Sequence, residues 1–168
     1  MALAYIGFGS NLGHPRRQIG RAVRALRRLP RSRLVCLSPN YCTAPIGGDA
    51  SQPDYINAVA IVATALAPRA LLARLLAIER KQRRKRIAGD RNAPRTLDCD
   101  LLLFGARRLR THALTLPHPR MHERAFVLRP LSDIAPTVPI PGHGPAQRLL
   151  KKVAGQRVRR TRSHRASF

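Results

Sequence analysis

The stretch Asp54-Tyr55-Ile56-Asn57-Ala58-Val59-Ala60-Ile61-Val62-Ala63-Thr64 constrains the fold more than any other feature of the sequence. It is mostly apolar and rich in β-branched residues, and so reads as a central strand. A central strand must be covered, and the flanking sequence offers amphipathic helices to cover it. Pro15 opens a helix to about Leu29, with Ile19, Val23 and Leu26 as its apolar stripe and Arg16, Arg17, Arg21, Arg24, Arg27 and Arg28 on other faces. Pro68 opens a second helix to about Gln82, with Leu71, Leu72, Leu75 and Ile78 inward. Residues 3–8, 33–38 and 98–104 read as further strands, the last expected to pair with 107–111 through a Gly105-Ala106 turn. Residues 121–130 and 146–153 read as short helices, and 41–53 and 83–95 as loops. Strands separated by helices, with a hairpin, predict an α/β or α+β sandwich whose helices cover the sheet faces.

At 168 residues the chain suits a single domain. We expect that domain over 1–155 and a basic, flexible tail over 156–168, where Arg and Lys are frequent and apolar residues scarce. There is no run of about 18 apolar residues to span a membrane. The N-terminus lacks the basic region of a secretory signal. The three cysteines, Cys36, Cys42 and Cys99, form neither a disulfide framework nor a C-x-x-C pair, which suits a reducing, cytoplasmic setting. Lys and Arg total 32 against 8 acidic residues, a net charge of +24. Such a field attracts polyanions, including nucleic acid, without naming one.

Acidic residues are scarce, yet two lie two apart in Arg95-Thr96-Leu97-Asp98-Cys99-Asp100. On a strand, positions i and i+2 share a face, so Asp98 and Asp100 project side by side. Their repulsion is relieved either by neighbouring arginines in an ion-pair network or by Mg²⁺ ions that also clamp a polyphosphate. Directly before them, residues 80–95 carry Arg80, Arg83, Arg84, Arg86, Arg91 and Arg95 with two lysines. That run is either a solvated charge stretch or a loop that closes over a nucleotide. Gly7, Gly9 and Gly13 have the wrong spacing for a dinucleotide loop and read as tight-turn residues. His118 and His122 are separated by Pro119, which disfavours a shared helical face and a zinc site; His118 alone suits a phosphate contact. Residues 41–57 offer backbone amides, Tyr55 and the Asn57 amide, a set suited to a flat, hydrogen-bonding heterocycle, although Tyr55 equally suits a core.

Four blocks in order, Gly9-Ser10-Asn11-Leu12, Gln52 to Asn57, Pro94 to Gly105, and Pro117-His118 with Arg124 and Phe126, resemble the 6-hydroxymethyl-7,8-dihydropterin pyrophosphokinases of folate biosynthesis. The resemblance implies a single-domain ferredoxin-like α/β/α sandwich with a mostly antiparallel or mixed sheet. It implies ATP-dependent pyrophosphoryl transfer to the pterin's 6-hydroxymethyl group with release of AMP, by a monomer. Asp98 and Asp100 match the family's metal-binding aspartates and would hold two Mg²⁺ ions. Arg84, Arg86 and Arg95 match catalytic arginines, and Glu79, Arg86, Arg95, Thr115, His118 and Arg124 match nucleotide-side positions. Thr43, Pro45, Ile46, Tyr55, Asn57 and Phe126 match the pterin pocket. The chain departs from the family pattern at Arg91 or Asn92, where a stacking Trp is common, at Leu76, where a polar residue is expected, and at Ala113, where a basic one is expected. The alternative is a basic nucleic-acid-binding module without catalysis, which would have no need of the carboxylate pair.

Overall fold

The computed structural model describes residues 1–45, 52–82 and 94–161. Its order is β1 (Ala2–Ser10), α1 (Pro15–Arg27), β2 (Ser32–Leu37), β3 (Tyr41–Thr43), β4 (Tyr55–Thr64), α2 (Pro68–Lys81) and β5 (Asp98–Phe104). The short strands β6 (Leu109–Arg110) and β7 (Thr115–Leu116), a 3-10 turn at Met121–Glu123 and α3 (Ala125–Ile134) follow. Strands β8 (Pro139–Ile140) and β9 (Gly144–Pro145), α4 (Ala146–Lys152) and β10 (Arg159–Arg160) complete it.

The predicted central strand is β4, which pairs antiparallel with β1 on one side and with both β2 and β3 on the other. The sheet runs β10-β3-β4-β1-β5, with β2 beside β3 along the same edge of β4. Every pairing in it is antiparallel. The βαββαβ order with β5 and β4 flanking β1 is the ferredoxin-like arrangement. Ser38 divides β2 from β3: its amide donates to the Val59 carbonyl and its hydroxyl accepts from the Val59 amide, both at 2.9 Å.

Alternation along the strands makes two cores. Ala4, Ile6 and Phe8 of β1, Ala58, Ala60 and Val62 of β4, and Cys99 and Leu101 of β5 pack against the apolar stripes of α1 and α2. Tyr5, Val59, Ile61, Leu102 and Leu103 face the other way, against Val127, Leu128 and Leu131 of α3 and Leu149 of α4. Each fully buried Leu in these layers contributes roughly 1.5–3 kcal/mol of transfer free energy. The β1–β5 register shifts between Tyr5 and Ile6, which turns both Leu102 and Leu103 to the α3 side.

The structure corrects several expectations. β5 does not form a hairpin with 107–111; its ladder is with β1, and the Gly105 amide donates to the Leu3 carbonyl at 2.7 Å. Leu109 and Arg110 pair instead with Thr115 and Leu116, a nearer partner once the chain has turned at Gly105. Gly7 and Gly9 are strand residues of β1, not turn residues, and only Gly13 (φ +64) takes a left-handed turn conformation. The presumed loop 41–53 contributes β3. The tail expected to begin at 156 is tied down as far as Thr161: Arg159 and Arg160 pair with Cys42 and Tyr41, and the Thr161 amide donates to the Asn40 carbonyl at 2.9 Å. Residues 162–168 lie outside the described residues.

Candidate active site

Strand register sets the floor of the site. Gly9 stands opposite Asn57 on β4 and opposite Asp98 on β5, while Gly7 stands opposite Val59 and Asp100. Paired residues of an antiparallel sheet share a face, so both carboxylates point to the α3 side with a glycine beside each. A Cβ on Gly9 would lie 3.5 Å from Asn57 Oδ1 and 3.9 Å from the Asp98 Cβ. Glycine at this position therefore keeps a flat opening between the amide and the carboxylate. At Gly7 a Cβ would meet Leu102 at 3.3 Å, so close strand-to-side-chain packing explains that residue too.

Above this floor lies a cleft of about 470 Å³. One wall is Thr43, Ala44 and Pro45 with Tyr55; the other is Arg120, Glu123, Arg124 and Phe126. Asn57 is buried and donates from Nδ2 to Thr43 Oγ1 at 2.9 Å, which fixes the orientation of its amide. Tyr55 is a cleft residue rather than a core residue, with the Arg95 guanidinium 5.8 Å from its ring centre. The Arg124 guanidinium lies 5.5 Å from the Phe126 ring centre. These two cation–aromatic pairs give the cleft two flat, electron-rich walls capped by positive charge.

A second cleft, of about 710 Å³, opens on the other side of β5. It is bounded by Leu72, Leu76, Glu79 and Arg80 of α2 and by His112, Leu114, Thr115 and His118. Glu79 is buried at its base, where Oε1 accepts the Cys99 amide at 2.8 Å and so anchors the start of β5. Leu76 and Ala113, the two departures from the family pattern in this region, both line the cleft and make it more apolar. Asp100 borders both clefts and Asp98, beside it on the same face, borders the first, so the pair runs from the first cleft to the junction.

The segment before β5 is held by Asn11. Its Oδ1 accepts the Arg95 amide at 2.8 Å, its Nδ2 donates to the Pro53 carbonyl at 3.2 Å, and its own amide donates to the Arg95 carbonyl at 3.1 Å. Ser10 adds a hydroxyl bond to the Thr96 carbonyl at 2.6 Å. The first matched block is therefore a clamp that places Arg95, which pairs with Asp98. Burial works against the Arg95 charge, but Asp98 and then Tyr55 outweigh it and hold its pKa above the usual value. Arg124 is pushed down by burial and by Arg120, with Asp100 and Asp98 acting the other way. It is a cation placed to gain from further negative charge.

His118 is pushed down to about 4 by burial, then by repulsion from Arg124, against the attraction of Asp98. It is thus neutral near pH 7. Its Nδ1 accepts the Arg120 amide at 3.3 Å, which leaves the proton on Nε2 as a donor. The sign of the pH effect follows. The folded state resists protonation that the unfolded chain accepts near 6.5, so this stabilisation is complete above about pH 6.5 and is lost as pH falls towards 4. Denaturant titrations of the metal-free protein should show this loss of stability, and His118→Gln should flatten it over that window.

Among the sequence-predicted residues, Thr43, Pro45, Tyr55, Asn57, Arg95, Asp98, Asp100, Arg124 and Phe126 line the first cleft. Glu79, Asp100, Thr115 and His118 line the second. Ile46, Arg84 and Arg86 lie outside the described residues. Sequence reasoning missed Arg120, Glu123, Gln156, Arg157 and Val158 in the first cleft. Arg120 and Glu123 adjoin matched positions and could have been found by proximity; the other three carry no motif signal.

Fold and site together define a ferredoxin-like domain with two clefts that meet over a carboxylate pair. Residues 5–136 match the family described as 7,8-dihydro-6-hydroxymethylpterin-pyrophosphokinase (HPPK). A Pseudomonas aeruginosa 2-amino-4-hydroxy-6-hydroxymethyldihydropteridine pyrophosphokinase is 50% identical over 137 residues, covering 82% of this chain and 83% of the relative. The enzyme of the same name from Haemophilus influenzae is 40% identical over 158 residues, covering 94% and 97%. In fold, the chain is similar to a Plasmodium falciparum HPPK-DHPS structure with pteroate, with a TM-score of 0.70 at 13% identity. That match covers 92% of this chain but spans only 42% of the longer one. The chain belongs to the HPPK family.

Proposed function

We propose that this chain transfers the pyrophosphoryl group of ATP to the 6-hydroxymethyl oxygen of 7,8-dihydropterin and releases AMP. The observation that carries the reading is the position of Asp100 between the two clefts, with Asp98 on the same face. The first cleft, flat-floored and walled by Tyr55 and Phe126 with an oriented Asn57 amide, fits a planar, hydrogen-bonding ring. The second fits the adenosine end of the nucleotide, and the triphosphate then crosses the carboxylates to reach the pterin.

The donor set fits Mg²⁺. Two carboxylates share one face, and among the described residues no group of three or more His, Cys, Asp or Glu could cage an ion. That balance suits a cation which completes its octahedron with phosphate oxygens and water. Asp98 and Asp100 would hold two such ions, which when bound neutralise the triphosphate and polarise the transferred group. The chain's own work is positioning and charge. Arg95 and Arg124 point positive charge at the junction, and neutral His118 donates from Nε2 towards a phosphate oxygen. We assign Arg84 and Arg86 to the transferring group, so that Arg84→Ala and Arg86→Ala lower kcat more than they weaken nucleotide binding. The pterin's hydroxymethyl oxygen loses its proton to solvent as it bonds to the β-phosphorus, while the bond from that phosphorus to the α–β bridging oxygen breaks, and that oxygen leaves with AMP.

The deciding experiment is coupled detection of AMP from ATP, with and without 6-hydroxymethyl-7,8-dihydropterin, in Mg²⁺. Pterin-dependent AMP release is expected; ATP turnover that ignores the pterin would overturn the reading. Among the described residues both clefts are lined by one chain, which supports a monomer. Three free cysteines support a cytoplasmic setting, and no helix among the described residues is long and apolar enough to cross a membrane. The exposed arginines of α1 and its flanks (Arg16, Arg17, Arg21, Arg24, Arg27, Arg28, Arg31 and Arg33) support loose polyanion binding. Heparin retention should fall steeply as salt rises, as expected for counterion release. Retention insensitive to salt would refute it.

A further inference from the structure

The chain beyond α4 joins the two walls of the first cleft. On the α3 side, the Gln156 amide group makes two hydrogen bonds. Its Oε1 accepts the Ala125 amide at 2.9 Å, and its Nε2 donates to the Glu123 carbonyl at 2.8 Å. On the β3 side, Arg159 and Arg160 pair with Cys42 and Tyr41, directly before Thr43. Between these ends, Arg157 and Val158 line the cleft itself.

The Gln156 bonds fall on the two residues that flank Arg124. Ala125 is the first residue of α3, whose N-terminus has no local side-chain cap. Its amide is one of the donors that a helix start leaves without an intrahelical acceptor. Gln156 supplies that acceptor from 31 positions along the chain. Both of its bonds are therefore to backbone, and together they fix the turn from which Arg124 and Phe126 project. Removing the side chain leaves Arg124 and Phe126 in place chemically but frees the turn that aims them.

We infer that Gln156 is a positioning residue of the heterocycle-binding cleft, and that residues 156–161 act as a strap setting the distance between the Phe126 wall and the Thr43–Pro45 wall. The inference rests on the proposed assignment of this cleft to the pterin and deepens it. The selectivity is directional. The strap touches the first cleft and not the second, so it acts chiefly on the flat heterocycle and reaches the nucleotide only through the aim of Arg124.

The test compares Gln156→Ala, Gln156→Glu and a control, Leu149→Ala, which removes a buried α4 side chain from the α3–α4 core and lies outside both clefts. Thermal unfolding gives the stability loss of each. Binding of the dihydropterin is measured in the presence of a non-hydrolysable ATP analogue, and binding of the analogue is measured alone. For Gln156→Ala, pterin affinity and KM are expected to worsen about tenfold, the scale of a hydrogen-bond pair that positions a site. Analogue affinity should change clearly less, about two- to threefold, because only Arg124 links the strap to the triphosphate. Gln156→Glu keeps the acceptor for the Ala125 amide and should recover part of the loss. Leu149→Ala should lower Tm without splitting the two affinities. Equal loss for both ligands, a matching pterin loss in Leu149→Ala, or no loss in Gln156→Ala would overturn the inference. Wild-type protein that binds the analogue but not the pterin would instead sink the functional reading on which it stands.

Discussion

Asp98→Ala and Asp100→Ala are each expected to abolish pyrophosphoryl transfer while leaving a folded protein. Both side chains are half-buried at the junction of the clefts, on strand positions whose partners across the ladder are glycines. No packed side chain is lost, so the fold should tolerate the change. Asp98→Ala removes the carboxylate that pairs with Arg95, which redirects a cation rather than opening a cavity. Loss of turnover should reach roughly a thousandfold or more, since each carboxylate would hold a cation that acts on transition-state charge, and one preorganised charge-stabilising group is worth about 10²–10³. Circular dichroism and Tm near wild type, with AMP release at background in saturating Mg²⁺, is the expected pair of results. Near-native turnover by either variant would remove the carboxylates from the chemistry.

The second large effect is on stability. Asn11 is 3% exposed, and its side chain satisfies the Arg95 amide and the Pro53 carbonyl at once. Asn11→Ala leaves the part-buried Arg95 amide without this acceptor, at about 1–3 kcal/mol, while the Pro53 carbonyl lies on an exposed residue where water can replace the lost donor. A loss of about 1–3 kcal/mol in ΔG of unfolding is expected from this source. Arg95 and the strand start at Asp98 are fixed through the same clamp, so kcat should fall as well, with less effect on the KM for pterin. Urea titration and steady-state kinetics on one preparation would check both. A variant with wild-type stability would show that the matched Gly9-Ser10-Asn11-Leu12 block is not a clamp.

Much of the fold was legible because the signals were local and strong. The apolar run at 55–64, the prolines that open α1 and α2, and the i, i+2 carboxylates each follow from periodicities that any strand or helix imposes. The family resemblance added the cleft residues that do not announce themselves, such as Thr43 and Phe126. The errors share a physical cause. The proposed hairpin of β5 with 107–111 looked only to the next segment, whereas the hydrogen bonds of β5 go to β1, nearly a hundred residues away in sequence. β3 and β10 contain three and two residues, too few for alternation to register. Their pairing exists only because β4 and the α3 turn bring the two segments together. Gln156 was invisible for the same reason, since a remote cap on a helix has no spacing rule.

The last strand has a consequence for solubility as well as for the site. A sheet that ended at β3 would present a row of unpaired amides and carbonyls beside an apolar core, the surface on which chains add to one another edge to edge. Here that border is finished by two consecutive arginines, both exposed. A strand so short and so charged satisfies the inner neighbour yet offers an incoming chain little to extend and much to repel. Neutralising Arg159 and Arg160 would therefore be felt first as self-association at high protein concentration, before any change in catalysis.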